Sequence, residues 1–334
     1  MAQKKAVQKS TLDDIRAAIN KAHGDGAIAA LDVDTELERL PTGVLALDRI
    51  LGGGLPYGKM VELFGPHGSG KTAIAMRIIA EAQKRGAAVL VDLESAFDPH
   101  MADNSGVDMS ALLISQPETA EQTLEIINSL LFAQEVSVIV VDSVAGMVPS
   151  AEIAGDFGDA HVGLQARLMS QGLRKLAATQ RSEGANKNII IVWINQIREK
   201  IGMQGYGPKT DTTGGRALKF WCSTRIDVAR IEAVKGSESD DPIGHKVRIK
   251  NVKSRFSPPY QMETFDILYE TGISNEGTLL DMAVDAGLVD VAGSWFTNTL
   301  TGEKSQGRQK VLKLLREDAD SYSLLLETVK ESTS

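Results

Sequence analysis

The chain has 334 residues, 43% of them hydrophobic, 24% charged and 5% aromatic, which excludes a disordered chain and suggests roughly two domains. Its one cysteine, Cys222, excludes a disulfide framework and a cysteine-based zinc site. No apolar run approaches the roughly 20 residues a bilayer needs, and Met1 to Lys5 lacks an apolar secretory region, so the expected address is the cytoplasm with no membrane partner.

The net charge of -8 hides an asymmetry, for between His161 and Tyr260 there are 18 Lys and Arg against 8 Asp and Glu. Two readings of this basic segment stand: solvated faces of ordinary helices and strands, or a site for a polyanion.

Residues 10–22 predict a short amphipathic helix, capped by Ser10 or Thr11 and ended by Gly24 and Gly26. From about residue 59, apolar runs alternate with helical stretches. Strands are predicted at Met60 to Phe64, Ala88 to Leu93, Leu112 to Ser115, Val136 to Val141 and Ile189 to Ile194. Helices are predicted at Thr72 to Arg85, Thr119 to Ala133 and Gly163 to Arg181. Near-continuous apolar strands between helices imply a parallel sheet covered on both faces. Thr224 to Ala233, Lys246 to Val252 and Glu263 to Tyr269 alternate more and lack intervening helices, which predicts antiparallel strands extending that sheet. Beyond residue 272, helical patterns at Thr278 to Ala286, Gln309 to Arg316 and from Ser321 imply a small C-terminal domain. The expected division is 1–33, 34–271 and 272–334.

Residues 65–72 read GPHGSGKT, a G-x-x-x-x-G-K-[ST] phosphate loop between an apolar strand and a helix. Gly65, Gly68 and Gly70 let the backbone turn its N–H groups toward a phosphate, and the helix N-terminus adds its positive dipole end. Lys71 can then reach the β- and γ-phosphates and Thr72 can bind Mg²⁺. Val138 to Asp142 is an apolar strand ending in a carboxylate, where such a fold places its second Mg²⁺ anchor through water. Val89 to Glu94 ends in Asp92 and Glu94. Asp92 reads as a buried strand residue and Glu94 as a candidate base facing the γ-phosphate. Asn195 and Gln196 end another apolar strand, either capping it or reporting whether a phosphate is present. Two loops follow strands of the same sheet. Residues 152–163 form one; residues 197–216, with five glycines and Arg198, Lys200, Lys209 and Arg216, form the other. A loop as long as 197–216 inside a compact domain is usually functional or disordered.

GPHGSGKT, VIVVDSVA at 138–145, GDAHVGLQARLMSQGLRKL at 158–176, INQIREKIG at 194–202 and TTGGRALKF at 212–220 resemble, in order, the blocks of the bacterial RecA family. The resemblance spans about residues 10 to 300. It implies an α/β fold: a RecA-type P-loop ATPase core whose mostly parallel central sheet is extended by antiparallel strands. A small N-terminal helical segment used in oligomerisation and a C-terminal α+β domain would flank it. It implies ATP and Mg²⁺ as cofactors, held by Gly65, Pro66, His67, Gly68, Ser69, Gly70, Lys71, Thr72 and Ala73. Asp142 would support the metal, and Asp98 and Tyr269 would lie at the nucleotide, Asp98 reading the adenine. Glu94 would activate water, Gln196 would sense the γ-phosphate, and Lys253 with Arg255 would reach ATP on the adjacent protomer. Arg167, Ser170, Arg174, Arg198, Lys200, Ile201, Thr210, Gly214, Gly215 and Arg216 would contact DNA, and Phe220 would pack across a subunit interface.

The resemblance also implies a helical filament on single-stranded DNA, pairing and strand exchange with double-stranded DNA, and self-cleavage of a LexA-type repressor. The alternatives are a ring-forming motor of the same fold and a scaffold filament without strand exchange. The chain departs from the family pattern at Arg255 (usually lysine), Arg216 (often asparagine), Met101 (often aromatic) and Gly205-Tyr206, and it lacks a long acidic tail. None of the five histidines shows metal-ligand spacing, and Trp193, Trp221 and Trp295 read as core.

Overall fold

The computed structural model describes residues 11–24, 27–28, 37–156, 163–199, 210–235, 241–299 and 301–333. It divides into two units, Met1–Leu37 and Glu38–Ser334. In the first, Leu12–His23 is a helix. Thr11 rather than Ser10 caps it: its hydroxyl accepts from the Asp14 amide at 3.2 Å, and the Asp14 carboxylate accepts from the Thr11 amide at 3.0 Å. That reciprocal pair satisfies two donors the helix start leaves free.

The second unit is built on one large sheet. In spatial order its strands are Gly272–Ser274, Met262–Leu268, Pro242–Ser254, Thr224–Lys235, Met60–Gly65, Ile190–Glu199, Val136–Asp142, Ala87–Asp92 and Leu112–Ser115. From Thr224–Lys235 to Leu112–Ser115 every neighbour is parallel. The apolar runs are continuous because both faces are covered. Leu90, Val138, Val140, Val192 and Ile194 join the core on one side with the helices Leu45–Leu51 and Lys71–Gln83. Val89, Val91, Ile139, Val141 and Trp193 join the core on the other with Ala120–Leu130 and Leu164–Thr179. Successive strand residues point to opposite faces, so each strand feeds both cores.

Three expectations need correction. Thr224 to Ala233 is not wholly antiparallel: it runs parallel to Met60–Gly65 and antiparallel only to Pro242–Ser254. A parallel neighbour needs a crossover connection, and that connection carries the five-residue helix Ala217–Trp221, too short to register as a periodic pattern. The core sheet extends past residue 271, because Gly272–Ser274 pairs with Met262–Leu268. Trp193 is core and Trp221 is partly buried, but Trp295 is 45% exposed. It sits in a three-stranded antiparallel sheet of Val289–Ala292, Trp295–Asn298 and Lys304–Gln306.

The C-terminal helices Glu276–Asp285, Arg308–Glu317 and Ala319–Thr333 bury their own cluster around Leu279, Leu280, Leu312 and Val329. Asn275 ties this part to the core, accepting from the Leu45 amide at 2.9 Å and donating to the Gly43 carbonyl at 2.9 Å. No helix among the described residues is long and apolar enough to cross a membrane.

Candidate active site

The loop after Met60–Gly65 and the strands Ala87–Asp92, Val136–Asp142 and Ile190–Glu199, toward their carboxyl ends, line one cavity of about 440 Å³, the usual ligand position in an open α/β sheet. Its wall includes His67, Gly68, Ser69, Gly70, Lys71, Thr72 and Ala73, then Glu94, Asp98, Asp142, Gln196 and Tyr269. Gly68 and Gly70 take φ of 69° and 93°, the left-handed region that favours glycine. A Cβ on Gly65 would lie 1.9 Å from the Val228 carbonyl oxygen, so only glycine fits where the loop leaves its strand. Gly65 and Pro66 do not line the cavity. Their carbonyls instead accept from Lys71 Nζ at 3.1 and 2.6 Å.

Lys71 is 7% exposed. Burial holds its ammonium below the ordinary lysine range, with Asp142 and Glu94 pulling it back up. Thr72 Oγ1 donates to Asp142 Oδ2 at 2.9 Å. Burial pushes Asp142 up to about 6, against the Thr72 hydrogen bond and helped by Glu94 and Asp92 nearby. A hydroxyl beside a carboxylate that is costly to keep ionised without a cation is an oxygen-donor set that suits a hard divalent ion. Among the described residues no group of three or more His, Cys, Asp or Glu side chains makes a self-sufficient metal site, so most of the ion's ligands would come from phosphate and water.

Glu94 stands exposed past the end of its strand, followed by Ser95 at φ 51°. Its Oε1 accepts from Ser143 Oγ and, at 2.9 Å, from Gln196 Nε2. The candidate base and the candidate sensor therefore touch. Asp92 is 4% exposed, a buried strand residue as expected, and also lines the cavity; it accepts from the Ala96 amide at 3.3 Å and from Gln116 Nε2 at 3.1 Å. Asp98 lines the cavity and caps the helix Pro99–Asn104, accepting from the His100 amide at 2.9 Å. Ser143 follows Asp142 directly in sequence, and that adjacency was the one signal of its role. His245, which the sequence does not single out, is 8% exposed, lines the cavity, and has no hydrogen-bond partner on either ring nitrogen.

Arg167, Ser170 and Arg174 are all exposed on the helix Leu164–Thr179, while Met169, Gly172, Leu173 and Leu176 are buried. Spacings of three and four place the three polar residues on one face. Gly214 and Gly215 have φ of 80° and 75° and pack close to Val144 and Ala166, leaving Arg216 exposed beside them. Arg198 and Thr210 lie on paired strands; Lys200 and Ile201 lie outside the described residues, as does 157–162 of the first expected loop. Glu152 belongs to the short helix Ser150–Ile153. Phe220, Lys253 and Arg255 are not part of this cavity's wall. Phe220 is 69% exposed, Arg255 is exposed, and Lys253 Nζ donates to the carbonyls of Lys219 and Phe220 at 2.6 and 3.2 Å.

Comparison with known proteins places this geometry. The RecA N-terminal domain matches residues 10–274 and the RecA C-terminal domain matches residues 277–334. The protein called Protein RecA in Lactobacillus acidophilus is 45% identical over 329 residues, covering 97% of this chain and 88% of its own length. The protein of that name in Mycolicibacterium smegmatis is 45% identical over 336 residues, covering 99% of this chain and 94% of its own. A solved structure titled "Crystal structure of the RadB recombinase" shares the fold at a TM-score of 0.52 and 24% identity. It covers 70% of this chain and 98% of its own.

Proposed function

This chain belongs to the RecA family and is a DNA-dependent ATPase of recombination, repair and the SOS response; from that premise we propose which residues do the work and on what. ATP binds in the cavity with its phosphates over Gly68 to Thr72. The backbone amides there and the helix N-terminus meet the anion, and Lys71 swings from the carbonyls of Gly65 and Pro66 onto the β- and γ-phosphates. Thr72 and Asp142, which are already bonded to each other, would hold Mg²⁺, and the metal would supply charge neutralisation on the phosphate oxygens.

Glu94 takes the proton from the attacking water, and Ser143 and Gln196 hold its carboxylate in place. Gln196, three residues before the end of the strand Ile190–Glu199 that leads to residues 200–209, exchanges its bond to Glu94 for one to the γ-phosphate and so reports nucleotide state. Asp98 and Tyr269 lie toward the base. Arg167, Ser170, Arg174 and Arg216, with Arg198, Lys200, Ile201, Thr210, Gly214 and Gly215, contact single-stranded DNA. The contacts run mainly through phosphates, as a sequence-tolerant reader requires. ATP sits between protomers of a helical filament, approached by Lys253 and Arg255 of the neighbour, with Phe220 in the interface. Double-stranded DNA is the second substrate and a LexA-type repressor a partner of the same filament, in the cytoplasm.

One observation supports this reading above the others. Thr72–Asp142 and Glu94–Gln196 are two bonded pairs converging on one cavity, and the second ends on the strand leading to the basic loop. The test is ATP hydrolysis with and without single-stranded DNA at two salt concentrations. A large stimulation that collapses at high salt is expected. Equal hydrolysis with and without DNA would sink the coupling drawn here.

A further inference from the structure

Glu62, on the central strand Met60–Gly65, is completely buried. Both of its carboxylate oxygens are in use. Oε1 accepts from Asn195 Nδ2 at 2.9 Å, and Oε2 accepts from Arg225 Nε on the opposite neighbouring strand. The Arg225 guanidinium also lies 4.4 Å over the Phe64 ring. Asn195 is equally committed. Its amide nitrogen donates a second bond to the Thr213 carbonyl at 3.0 Å, and its Oδ1 accepts from the Gln196 amide at 2.9 Å. The Thr213 amide in turn donates to the Gln196 carbonyl at 3.3 Å.

The network has two ends. At one, Gln196 reaches Glu94 in the nucleotide cavity. At the other, Arg225 pairs in register with Lys253, whose ammonium holds the carbonyls of Lys219 and Phe220. Burial lowers Lys253, with Arg255 and Arg225 lowering it further and Glu62 drawing it up. The junction of the two ends is the Glu62 carboxylate. Thr213 and Gln196 flank residues 197–212, so Asn195 also clamps together the two stems of that segment.

Burying a carboxylate and a guanidinium in the middle of a sheet costs desolvation, and well-packed apolar side chains stabilise such a position equally well or better. What the ionic pair adds is fixed direction. A fully bonded polar cluster has one low-energy arrangement, and moving any member leaves a buried group unpaired. We propose that Glu62 is a positioning residue for DNA-coupled hydrolysis: it ties the Gln196 sensor and the Thr213 stem to the Arg225–Lys253 side of the sheet, so that nucleotide state is transmitted to both. Glu62 touches neither nucleotide nor DNA. The inference rests on the function proposed above.

The test is the ratio of DNA-stimulated to DNA-free hydrolysis in Glu62→Gln. Glutamine keeps an acceptor for Asn195 but turns an amide toward Arg225. DNA-free kcat and the KM for ATP are expected within about twofold of the parental protein, with the stimulated rate down about tenfold. In Glu62→Gln/Arg225→Gln, where the two amides can bond, stimulation should partly return. A second variant, Asn195→Ser, leaves the Glu62–Arg225 pair intact and cuts the tie to Thr213; it should lose stimulation in the same way and serves if Glu62→Gln does not fold. A parental ratio in folded Glu62→Gln and Asn195→Ser overturns the inference, as does an equal fall of both rates. A parental protein without DNA stimulation overturns the underlying reading instead.

Discussion

Replacing Glu94 with glutamine separates binding from chemistry in this site. The carboxylate Oε1 accepts from Ser143 Oγ and from Gln196 Nε2, and a glutamine Oε1 can accept both bonds, so the constellation around it survives. Glu94 is exposed, which spares the variant an uncompensated buried amide. Only the basic oxygen facing the water is lost. General-base removal costs about 10²–10⁴ in rate, which at 1.36 kcal/mol per tenfold is about 3–5 kcal/mol of barrier. We therefore expect Glu94→Gln to bind ATP within about threefold of the parental affinity. Its kcat with saturating single-stranded DNA should fall by at least about a hundredfold, and filaments should persist on DNA because the ATP in them is not consumed. Steady-state phosphate release, a fluorescent nucleotide titration and electron microscopy of DNA complexes measure the three quantities. Hydrolysis at the parental rate would refute the assignment of the base, and loss of nucleotide affinity in step with kcat would refute the claim that Glu94 acts on water alone.

Two other predictions rest on different parts of the molecule. Arg174→Ala removes one exposed cation from the face shared with Arg167 and Ser170; single-strand affinity should fall for all sequences alike. The slope of log affinity against log salt should flatten by about 0.7, the value for one phosphate contact on a single strand, and an unchanged slope would remove Arg174 from the DNA face. Asp48 is a stability prediction. Burial pushes it up to about 6, against hydrogen bonds from the Thr42 amide and hydroxyl, both at 2.8 Å. The folded state thus binds its proton more tightly than the unfolded chain, so the contribution of Asp48 to stability is full below about pH 4 and declines as pH rises through about 6. The decline approaches about 3 kcal/mol, and Asp48→Asn, which can still accept from Thr42, should show none of it. Urea midpoints of both proteins from pH 4 to 7 measure the difference, and parallel curves would mean that Asp48 ionises normally in the folded state.

Much of this protein was legible along the chain. The phosphate loop is local: glycines, a lysine and a threonine at fixed spacing between a strand and a helix. The strands Met60–Gly65, Leu112–Ser115 and Val136–Asp142 stand where the apolar runs placed them; Met60–Gly65 and Val136–Asp142 are covered on both faces and so are mostly apolar along their length, while Leu112–Ser115 is the edge strand and leaves Leu113 and Ile114 exposed. Asp142, Glu94 and Gln196 are singled out by polar side chains that follow apolar strands of one sheet, and the structure brings all three to the wall of one cavity. Other features were not legible. Thr224–Lys235 reads as antiparallel by its texture, yet one of its two neighbours, Met60–Gly65, is parallel to it. Direction follows from the connection that precedes a strand, and among the described residues of this one only the five of Ala217–Trp221 are helical. Trp295 reads as core in the sequence but is 45% exposed, because a three-stranded sheet beside a small cluster has too little interior to cover it.

What the sequence determined by itself is what neighbours along a chain can encode: the periodicity of the longer elements, a helix start capped by Ser10 or Thr11, the phosphate-binding turn and the family it signals. Only the tertiary structure decided which of those elements lie side by side. It brought Ser143 to Glu94, left His245 unpartnered in the cavity wall, and joined Glu62 to Asn195 and Arg225. Asn195 and Arg225 lie 133 and 163 residues beyond Glu62. Contacts of that range exist because Ile190–Glu199 and Thr224–Lys235 flank Met60–Gly65 in the sheet. Strand order is set by the packing of the whole chain and leaves no periodic trace in any one segment.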